Sequence, residues 1–193
     1  SVLIDEQILI KNFNFEIIEK VLNLKDFSMF FTIICIYIFI NACNMFDGAD
    51  LQLGLYFFII LTYLYFKSNY LHIFTPIFIP LIFFLFLNYR KICFIGNSGS
   101  HFLSYLISIF IIKFYNLNIL QSVEEVLILM LIPGLDLIRL FFSRSFNKKP
   151  FFKSDLNHIH HILLKKNSKN KVQIILFFLN LSPIVIGEFS GSY

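Results

Sequence analysis

The sequence predicts an all-α, polytopic integral membrane protein. Of its 193 residues, 58% are hydrophobic and only 15% are charged. A water-soluble domain of this size has too small an interior to hide so much apolar surface, whereas a lipid bilayer accepts it. Long runs of Phe, Ile and Leu recur at intervals that suit membrane spans, and the basic residues gather late in the chain.

The first 26 residues are too polar to cross a bilayer, because charged side chains interrupt them repeatedly from Asp5 to Asp26. The alternation of apolar and polar residues around Lys11 and Phe13 predicts a short β-hairpin, followed by an amphipathic turn. We expect residues 1–26 to lie at the extracytoplasmic or interfacial side, and residues 27–193 to form the transmembrane domain.

Six apolar segments after this region are predicted to span the membrane as helices. A helix needs about 20 residues to cross the hydrocarbon layer, so the first two segments are slightly short. Pro76 and Pro80 in the third segment and Pro133-Gly134 in the fifth predict kinks or breaks, which membrane helices tolerate where neighbours satisfy the freed backbone groups. The six segments are residues 27–43, 51–66, 70–89, 102–120, 123–143 and 172–189.

Basic residues predict the orientation of these helices. Eight lysines and arginines lie between residues 144 and 171, which places that loop in the cytoplasm. Alternating spans then put residues 41–50 and 88–100 on the same cytoplasmic face, and the loops near Lys67 and Gln121 outside. This pattern explains the net charge of +4 without a nucleic-acid partner.

Cysteine usage gives no sign of a disulfide framework or a metal site. The three cysteines, Cys35, Cys43 and Cys93, are odd in number, and two of them lie in or at a predicted span. We therefore interpret all three as reduced packing residues.

The segment Asn41–Asp50, NACNMFDGAD, gathers amides and carboxylates between two apolar runs. Polar groups at the mouth of a bilayer are costly unless they are buried against partners or water, so this segment is a candidate functional site. Asn41, Asn44 and Asp47 recur every three residues and would lean to one side of a helix end. Gly48 is expected to free the backbone to turn there. A polar loop that merely connects two spans is the alternative.

Two further polar motifs are predicted on the cytoplasmic face. GNSGS at residues 96–100 forms a small-residue turn that opens a helix, where backbone N–H groups suit a phosphate. A Ser- and Gly-rich helix cap explains this turn equally well. In PGLDLIR at residues 133–139, Asp136 and Arg139 are three residues apart and can pair on one helix face. A structural intramembrane ion pair explains their spacing better than direct chemistry.

The fourth motif is DLNHIHH at residues 155–161, which contains Asp155, His158, His160 and His161. Three histidines and an aspartate flanked by lysines can bind a diphosphate or assist proton transfer. A zinc site is the rival interpretation, because histidine clusters also ligate zinc. A solvated polar loop is the third.

Together, the four motifs resemble those of the polyprenyl-phosphate N-acetylhexosamine-1-phosphate transferases, a glycosyltransferase family 4-like group. That family carries NxxNxxDGxDG, GDxGS, PxxDxxR and HxHH in this order, and the order and spacing match here from about residue 33 to about residue 161. The HIHH form resembles the branch that makes undecaprenyl-diphosphate-GlcNAc more than the peptidoglycan branch that uses UDP-MurNAc-pentapeptide.

The resemblance implies an enzyme of the bacterial inner membrane with a cytoplasmic active face. It would move GlcNAc-1-phosphate from a UDP-sugar to undecaprenyl phosphate and release UMP, for O-antigen or other cell-envelope polysaccharide synthesis. Magnesium, or manganese in its place, would bridge the diphosphate near Asn44 and Asn97. Membrane lipid would surround the helices, and a homodimer would be compatible with the family.

The resemblance also implies roles for individual residues. Asp47 and Asp50 would orient the nucleotide or metal-bound water, and the histidines of the fourth motif would hold the phosphates. The implied catalytic residues are Asp47, Asp50, His158, His160 and His161. The implied substrate-binding residues are Asn41, Asn44, Asp136, Arg139 and Asp155.

The sequence also departs from the family pattern. The aspartate of GDxGS, which the family uses for its magnesium, is Asn97 here, and the second glycine of DGxDG is Leu51. The family's first spans and its early Asp-Asp pair have no counterpart, so we expect the chain to correspond to the later part of the family architecture. A truncated or degenerate relative that binds the lipid carrier without turnover is the rival hypothesis. A transporter is less well supported, because transporters keep their sites near the midplane.

The predicted orientation is testable by cysteine labelling in intact cells. A membrane-impermeant thiol reagent added outside should label Asn69→Cys and leave Lys166→Cys unmodified, because the lysine-rich loop is assigned to the cytoplasm. Labelling of Lys166→Cys from outside would remove the shared-face argument and the site assignment with it.

Overall fold

The computed structural model describes residues 6–68, 70–146 and 159–189, and within them all six predicted spans fold as helices. A short β-hairpin precedes them, as predicted, and a further short helix lies before the last span. The elements are β1 (Asn12–Phe15), β2 (Lys20–Asn23), α1 (Ser28–Phe46), α2 (Gln52–Ser68), α3 (Leu71–Tyr89), α4 (Gly96–Asn116), α5 (Val123–Phe146), α6 (Ile159–Leu164) and α7 (Lys169–Phe189).

Four of the described helices, α1, α3, α5 and α7, are long and apolar enough to cross a membrane by length and composition. Helix α2 has 17 residues, and α4 opens with the polar GNSGS turn. The chain is therefore a polytopic α-helical membrane protein. Helix α3 runs on through Pro76 and Pro80, and α5 continues through Pro133, so neither helix is broken at a proline. The alternative, a kink at these prolines, stays a prediction.

The hairpin packs across the beginning of α1 and the end of α4. Its strands pair antiparallel, with Phe13 opposite Leu22. The Tyr115 hydroxyl accepts a hydrogen bond from the Asn14 N–H at 2.7 Å and donates one to the Asn12 carbonyl at 3.1 Å. Thr32 Oγ1 accepts from the Ile10 N–H at 2.9 Å. At this end of the bundle, the hairpin end, backbone groups of the hairpin region are therefore hydrogen-bonded to side chains of α1 and α4.

Helices α1 and α4 pack closely along much of their length. Ser100, Ser104 and Ser108 recur every four residues on α4, and all three are fully buried. Small side chains at this spacing let two membrane helices approach closely. Ser104 and Ser108 donate to carbonyls of their own helix, whereas Ser100 reaches across to α1. The two helices run from the hairpin end to the opposite mouth, where the polar motifs lie.

The remaining core is apolar and joins α2 to its neighbours. Phe57, Leu64, Phe74 and Ile107 are fully buried in one cluster. Helices α2 and α3 meet at Gly54, where an added Cβ would lie 2.7 Å from Leu85 Cδ2. Only a glycine fits this crossing without a shift. Many large apolar side chains on the outer faces of the helices remain exposed, as expected for surfaces that contact lipid.

A polar cluster at the hairpin end ties together α2, α5 and α7. Glu125 is 1% exposed, and its carboxylate accepts hydrogen bonds from the Tyr63 hydroxyl at 2.5 Å and the Gln121 N–H at 2.8 Å. Lys67 Nζ lies 3.2 Å from Glu125 and 3.1 Å from Glu188. These four side chains and one backbone group join three helices at the mouth opposite the polar motifs.

We expect Glu125→Ala to destabilise the protein by about 1–3 kcal/mol. The Gln121 N–H would lose its buried acceptor, and Tyr63 and Lys67 would each lose one of their two carboxylate partners. The thermal midpoint in detergent should fall by several degrees. Glu124→Ala is the matched control: Glu124 is only partly buried and holds the hairpin turn through two hydrogen bonds of 3.3 Å. Equal midpoints for the two variants would contradict the importance of the cluster.

Candidate functional site

The first two polar motifs meet at one end of the α1–α4 interface. Ser100 Oγ donates a hydrogen bond to Asn44 Oδ1 at 2.8 Å. The same hydroxyl lies 3.0 Å from the Asn97 carbonyl oxygen. One buried hydroxyl thus links the NACNMFDGAD segment with the GNSGS turn. The prediction that the two motifs lie on one face of the protein is confirmed for this pair.

Asp47 stands directly after α1, where its backbone N–H still bonds to the Cys43 carbonyl. Its carboxylate is partly buried, and burial raises the pKa of Asp47 from its usual 3.8 to about 6. Within the described residues, no hydrogen bond or ion pair compensates that carboxylate. A cation or a hydrogen-bond donor at this position would stabilise the charged form.

In the turn after Asp47, the left-handed conformation falls on a residue other than Gly48. Gly48 keeps a negative φ, and Leu51 instead adopts the left-handed conformation with φ of 67°. A non-glycine residue in that region costs about 1 kcal/mol or more. Leu51 stands where the motif that this segment resembles has its second glycine, and its backbone has a conformation that glycine favours.

Two cavities flank this loop. The larger, of about 260 Å³, is bounded by Asp47, Asp50, Asn88, Phe94 and Gly96, among others. The smaller, of about 180 Å³, lies between Gly48–Asp50 and the beginning of α7. The loop that carries both aspartates therefore separates two openings, one towards α4 and one towards α7.

The beginning of α7 contacts the aspartate loop directly. Gln173 Nε2 donates to the Asp50 carbonyl oxygen at 3.4 Å, and Leu164 and Lys169 line the smaller cavity. Leu164 is the last residue of α6, which packs against α7. The segment that directly follows the histidine motif is thus brought beside Asp50.

The histidine motif itself is only partly described. Asp155 and His158 lie outside the described residues. His160 and His161 belong to α6, Ile159–Leu164, so the end of the motif is helical rather than the loop that the sequence suggested. Their helix ends at the smaller cavity, through Leu164.

The third motif forms the predicted ion pair. Arg139 donates to Asp136 Oδ1 from Nη2 at 2.7 Å and from Nε at 3.2 Å. Asp136 is 3% exposed, so its carboxylate is buried, and Arg139 of the same helix neutralises its charge.

Asn41, by contrast, donates to the Tyr37 carbonyl one turn earlier in α1 at 2.7 Å. Neither arrangement by itself assigns a chemical role to these residues.

The donor set at this mouth consists of oxygen atoms, which suits a hard cation such as magnesium better than zinc. The available ligands are the carboxylates of Asp47 and Asp50 and the amide oxygens of Asn44 and Asn97. Among the described residues, no three His, Cys, Asp or Glu side chains cluster closely enough to hold a metal by themselves. Asn97 is exposed, and its neutral amide is a weaker ligand than a carboxylate.

Sequence reasoning missed two residues that shape the site. Asn88, near the end of α3, donates to the Cys93 carbonyl at 2.8 Å and accepts from the Leu51 N–H at 2.6 Å. Gln52 is 2% exposed, and neither amide atom has a partner in the part of the chain that the structure describes. No local pattern marks either residue. The serines of α4, in contrast, carry a readable i, i+4, i+8 spacing.

Fold and site together define a polytopic membrane protein with an oxygen-rich polar site at one mouth of its helix bundle. Residues 2–115 match the model of glycosyl transferase family 4, which is more than half of the chain. The chain therefore belongs to glycosyl transferase family 4. The match contains the NACNMFDGAD and GNSGS motifs.

A curated relative supports this membership. It is the "Probable undecaprenyl-phosphate N-acetylglucosaminyl 1-phosphate transferase" of Bacillus subtilis (strain 168), which is 28% identical over 159 residues. The similarity covers 76% of this chain and 44% of the relative. The chain therefore spans less than half the length of that relative.

We expect Ser100→Ala to lower stability by about 0.5–1.5 kcal/mol, because Asn44 loses its hydrogen-bond donor across the helix interface. The thermal midpoint in detergent should fall by a few degrees. Ser108→Ala is the matched control, since Ser108 is equally buried but bonds only to a carbonyl of its own helix. A midpoint as low for Ser108→Ala as for Ser100→Ala would show that the cross-helix bond adds nothing specific.

Proposed function

We propose that the protein acts in the transfer of a sugar-1-phosphate, GlcNAc-1-phosphate by preference, from a UDP-sugar to undecaprenyl phosphate, with release of UMP. The observation that carries this proposal is the Ser100–Asn44 hydrogen bond of 2.8 Å, which joins two motifs beside the uncompensated Asp47 carboxylate. Membership of glycosyl transferase family 4 and the name of the Bacillus relative support the reaction class.

Phosphoryl transfer depends mainly on positioning and on charge neutralisation. In this proposal, Asp47 and Asp50 orient the nucleotide or metal-bound water at the mouth of the site. Magnesium or manganese, held near Asn44 and Asn97, would supply neutralisation of the diphosphate charge. His160 and His161, carried on α6, would hold phosphate oxygens together with His158 and neighbouring basic groups, and Asp155 would be a further substrate-binding residue.

The beginning of α4 offers a further contact for phosphate. Gly96 has φ of 63°, and the residue before it, Ile95, provides no side-chain cap. Among the described residues, no side chain caps the first N–H groups of α4, so these groups can donate to a ligand, and the helix dipole favours a negative charge there. Exposed basic side chains at the same mouth add attraction for an anionic donor: Arg90, Lys91, Lys165, Lys166 and Lys169.

This chemistry would take place at the cytoplasmic face of a bacterial inner membrane. The basic loops and the site share one mouth, as the orientation rule requires of a cytoplasmic face. The donor would then be a soluble cytoplasmic nucleotide sugar, and the acceptor a lipid phosphate held at the bilayer surface. The lipid-linked product would serve synthesis of O-antigen or another envelope polysaccharide.

A second candidate function is binding of the lipid carrier without turnover. It is favoured by Asn97, which places an exposed neutral amide where the family pattern has a magnesium-binding aspartate. Magnesium dehydrates reluctantly, so the loss of one charged ligand weakens its binding. On this hypothesis, the whole protein would bind undecaprenyl phosphate but release no UMP.

The proposal is tested by UMP release from UDP-GlcNAc in membranes that contain the whole protein. Release should require both undecaprenyl phosphate and magnesium. Asp47→Asn should reduce the rate by about a hundredfold or more, the scale of losing a catalytic carboxylate. Asn97→Asp should raise magnesium-dependent release, because it restores a charged ligand. Asp26→Asn, in the exposed 3-10 turn before α1, is the control that should leave the rate unchanged.

Three outcomes separate the candidates. Wild-type rates for Asp47→Asn would contradict the role of the aspartate loop. Absence of UMP release from both wild type and Asn97→Asp would make the non-catalytic candidate the better one. Release from UDP-MurNAc-pentapeptide in preference to UDP-GlcNAc would move the protein to the peptidoglycan branch.

A further inference from the structure

Leu51 is the residue at which the aspartate loop turns into α2. Its φ of 67° lies in the left-handed region, where the Cβ of an L-residue crowds the backbone and which glycine adopts freely. The Leu51 carbonyl still accepts from the Leu55 N–H at 2.8 Å, within the first turn of α2. The conformation of this one residue therefore fixes the angle at which Asp47–Asp50 leaves the helix.

A side chain from another helix holds Leu51 in this conformation. Asn88 Oδ1 accepts the Leu51 N–H at 2.6 Å. Its Nδ2 donates to the Cys93 carbonyl at 2.8 Å, in the segment that leads to Gly96. Asn88 is 5% exposed, so water does not compete for either bond. The oxygen and the nitrogen of one amide are thus both used, and Asn88 itself lines the larger cavity.

We propose that Asn88 is the positioning residue of the aspartate loop. By accepting the Leu51 N–H, Asn88 stabilises a left-handed backbone conformation that is unfavourable for leucine. By donating to the Cys93 carbonyl, Asn88 also positions the aspartate loop against the beginning of α4. Asn88 acts through the backbone and needs no contact with a substrate. The catalytic consequence rests on the proposed function, whereas the conformational consequence does not.

Hydrogen–deuterium exchange on the purified chain in detergent tests the conformational part. Asn88→Ala should raise exchange in peptides that cover residues 47–55 by about tenfold, the scale of losing one buried hydrogen bond. Asn180→Ala is the matched control, because Asn180 is also buried on a helix but has no partner for its amide among the described residues. The control should leave exchange in this segment unchanged. Unchanged exchange in Asn88→Ala, or an equal rise in Asn180→Ala, would overturn the proposal.

Rescue by a second substitution separates positioning from a general role in folding. Leu51→Gly removes the conformational cost, so the double variant Asn88→Ala/Leu51→Gly should recover most of the exchange protection that Asn88→Ala loses at the Gln52 and Leu55 amides. Ala49→Gly in the same background adds a glycine to the loop at a position without positive φ. It should not rescue. Equal rescue by the two glycines, or rescue by neither, would overturn the proposal.

UMP release in the same variants tests the catalytic consequence. Asn88→Ala should lower the rate by about tenfold or more, as misplaced catalytic groups do, and Leu51→Gly should restore it. If wild type releases no UMP while exchange follows the pattern above, the proposed function fails and the positioning role stands. If wild type is active and Asn88→Ala retains full activity, the role of Asn88 in positioning the aspartates is refuted.

Discussion

The close approach of α1 and α4 is the interaction on which the rest of the structure depends. Lipid is as apolar as the helix surfaces, so association in a membrane relies on tight packing and on hydrogen bonds rather than on the hydrophobic effect. Ser100, Ser104 and Ser108 provide the small surface that this packing requires. At one end, the contact joins Ser100 to Asn44. At the other, it brings the end of α4, with Tyr115, against the hairpin that precedes α1. A bulkier side chain at any of the three serines would disturb this packing.

The polar groups at the two ends of the helix bundle have different roles. The cluster around Glu125 is fully paired, since each charge has a partner of opposite sign and the hydroxyl of Tyr63 fills the space between two carboxylates. Such a network holds helices together and offers little to a ligand. At the opposite mouth, Asp47 has no compensating partner among the described residues, and the raised pKa of its carboxylate follows from that burial. Uncompensated charge is costly to stability, so the unpaired carboxylate of Asp47 is better explained by a ligand site than by a structural contact.

Much of this architecture was predictable, because spans, hairpin and ion pair depend on periodicity and spacing along the chain. The alternation around Phe13 gives the hairpin, and the three-residue spacing of Asp136 and Arg139 gives their pair. The sequence does not reveal a local conformation that distant residues determine. Gly48 is the obvious turning residue by intrinsic preference, yet Leu51 takes the left-handed conformation and Asn88, 37 residues further along, accepts its N–H. Tertiary hydrogen bonds of this kind leave no pattern in the sequence. Pro76, Pro80 and Pro133 leave their helices unbroken, because neighbouring helices can satisfy the backbone groups that a proline frees.

The two departures from the family motif differ in physical kind. At position 51, leucine adopts the left-handed conformation that glycine favours, and Asn88 of α3 stabilises it by accepting the Leu51 N–H. At position 97, a charge is lost, and the structure places no carboxylate of the described residues within the same turn. Backbone geometry can be restored by a neighbour, but a missing charge changes the electrostatic potential of the whole mouth, where exposed lysines and Arg90 already outnumber Asp47 and Asp50. That balance favours an anionic phosphate ligand more than it favours a cation. Attraction for the proposed nucleotide sugar and attraction for its metal are therefore governed by separate residues, and only the second is weakened by Asn97.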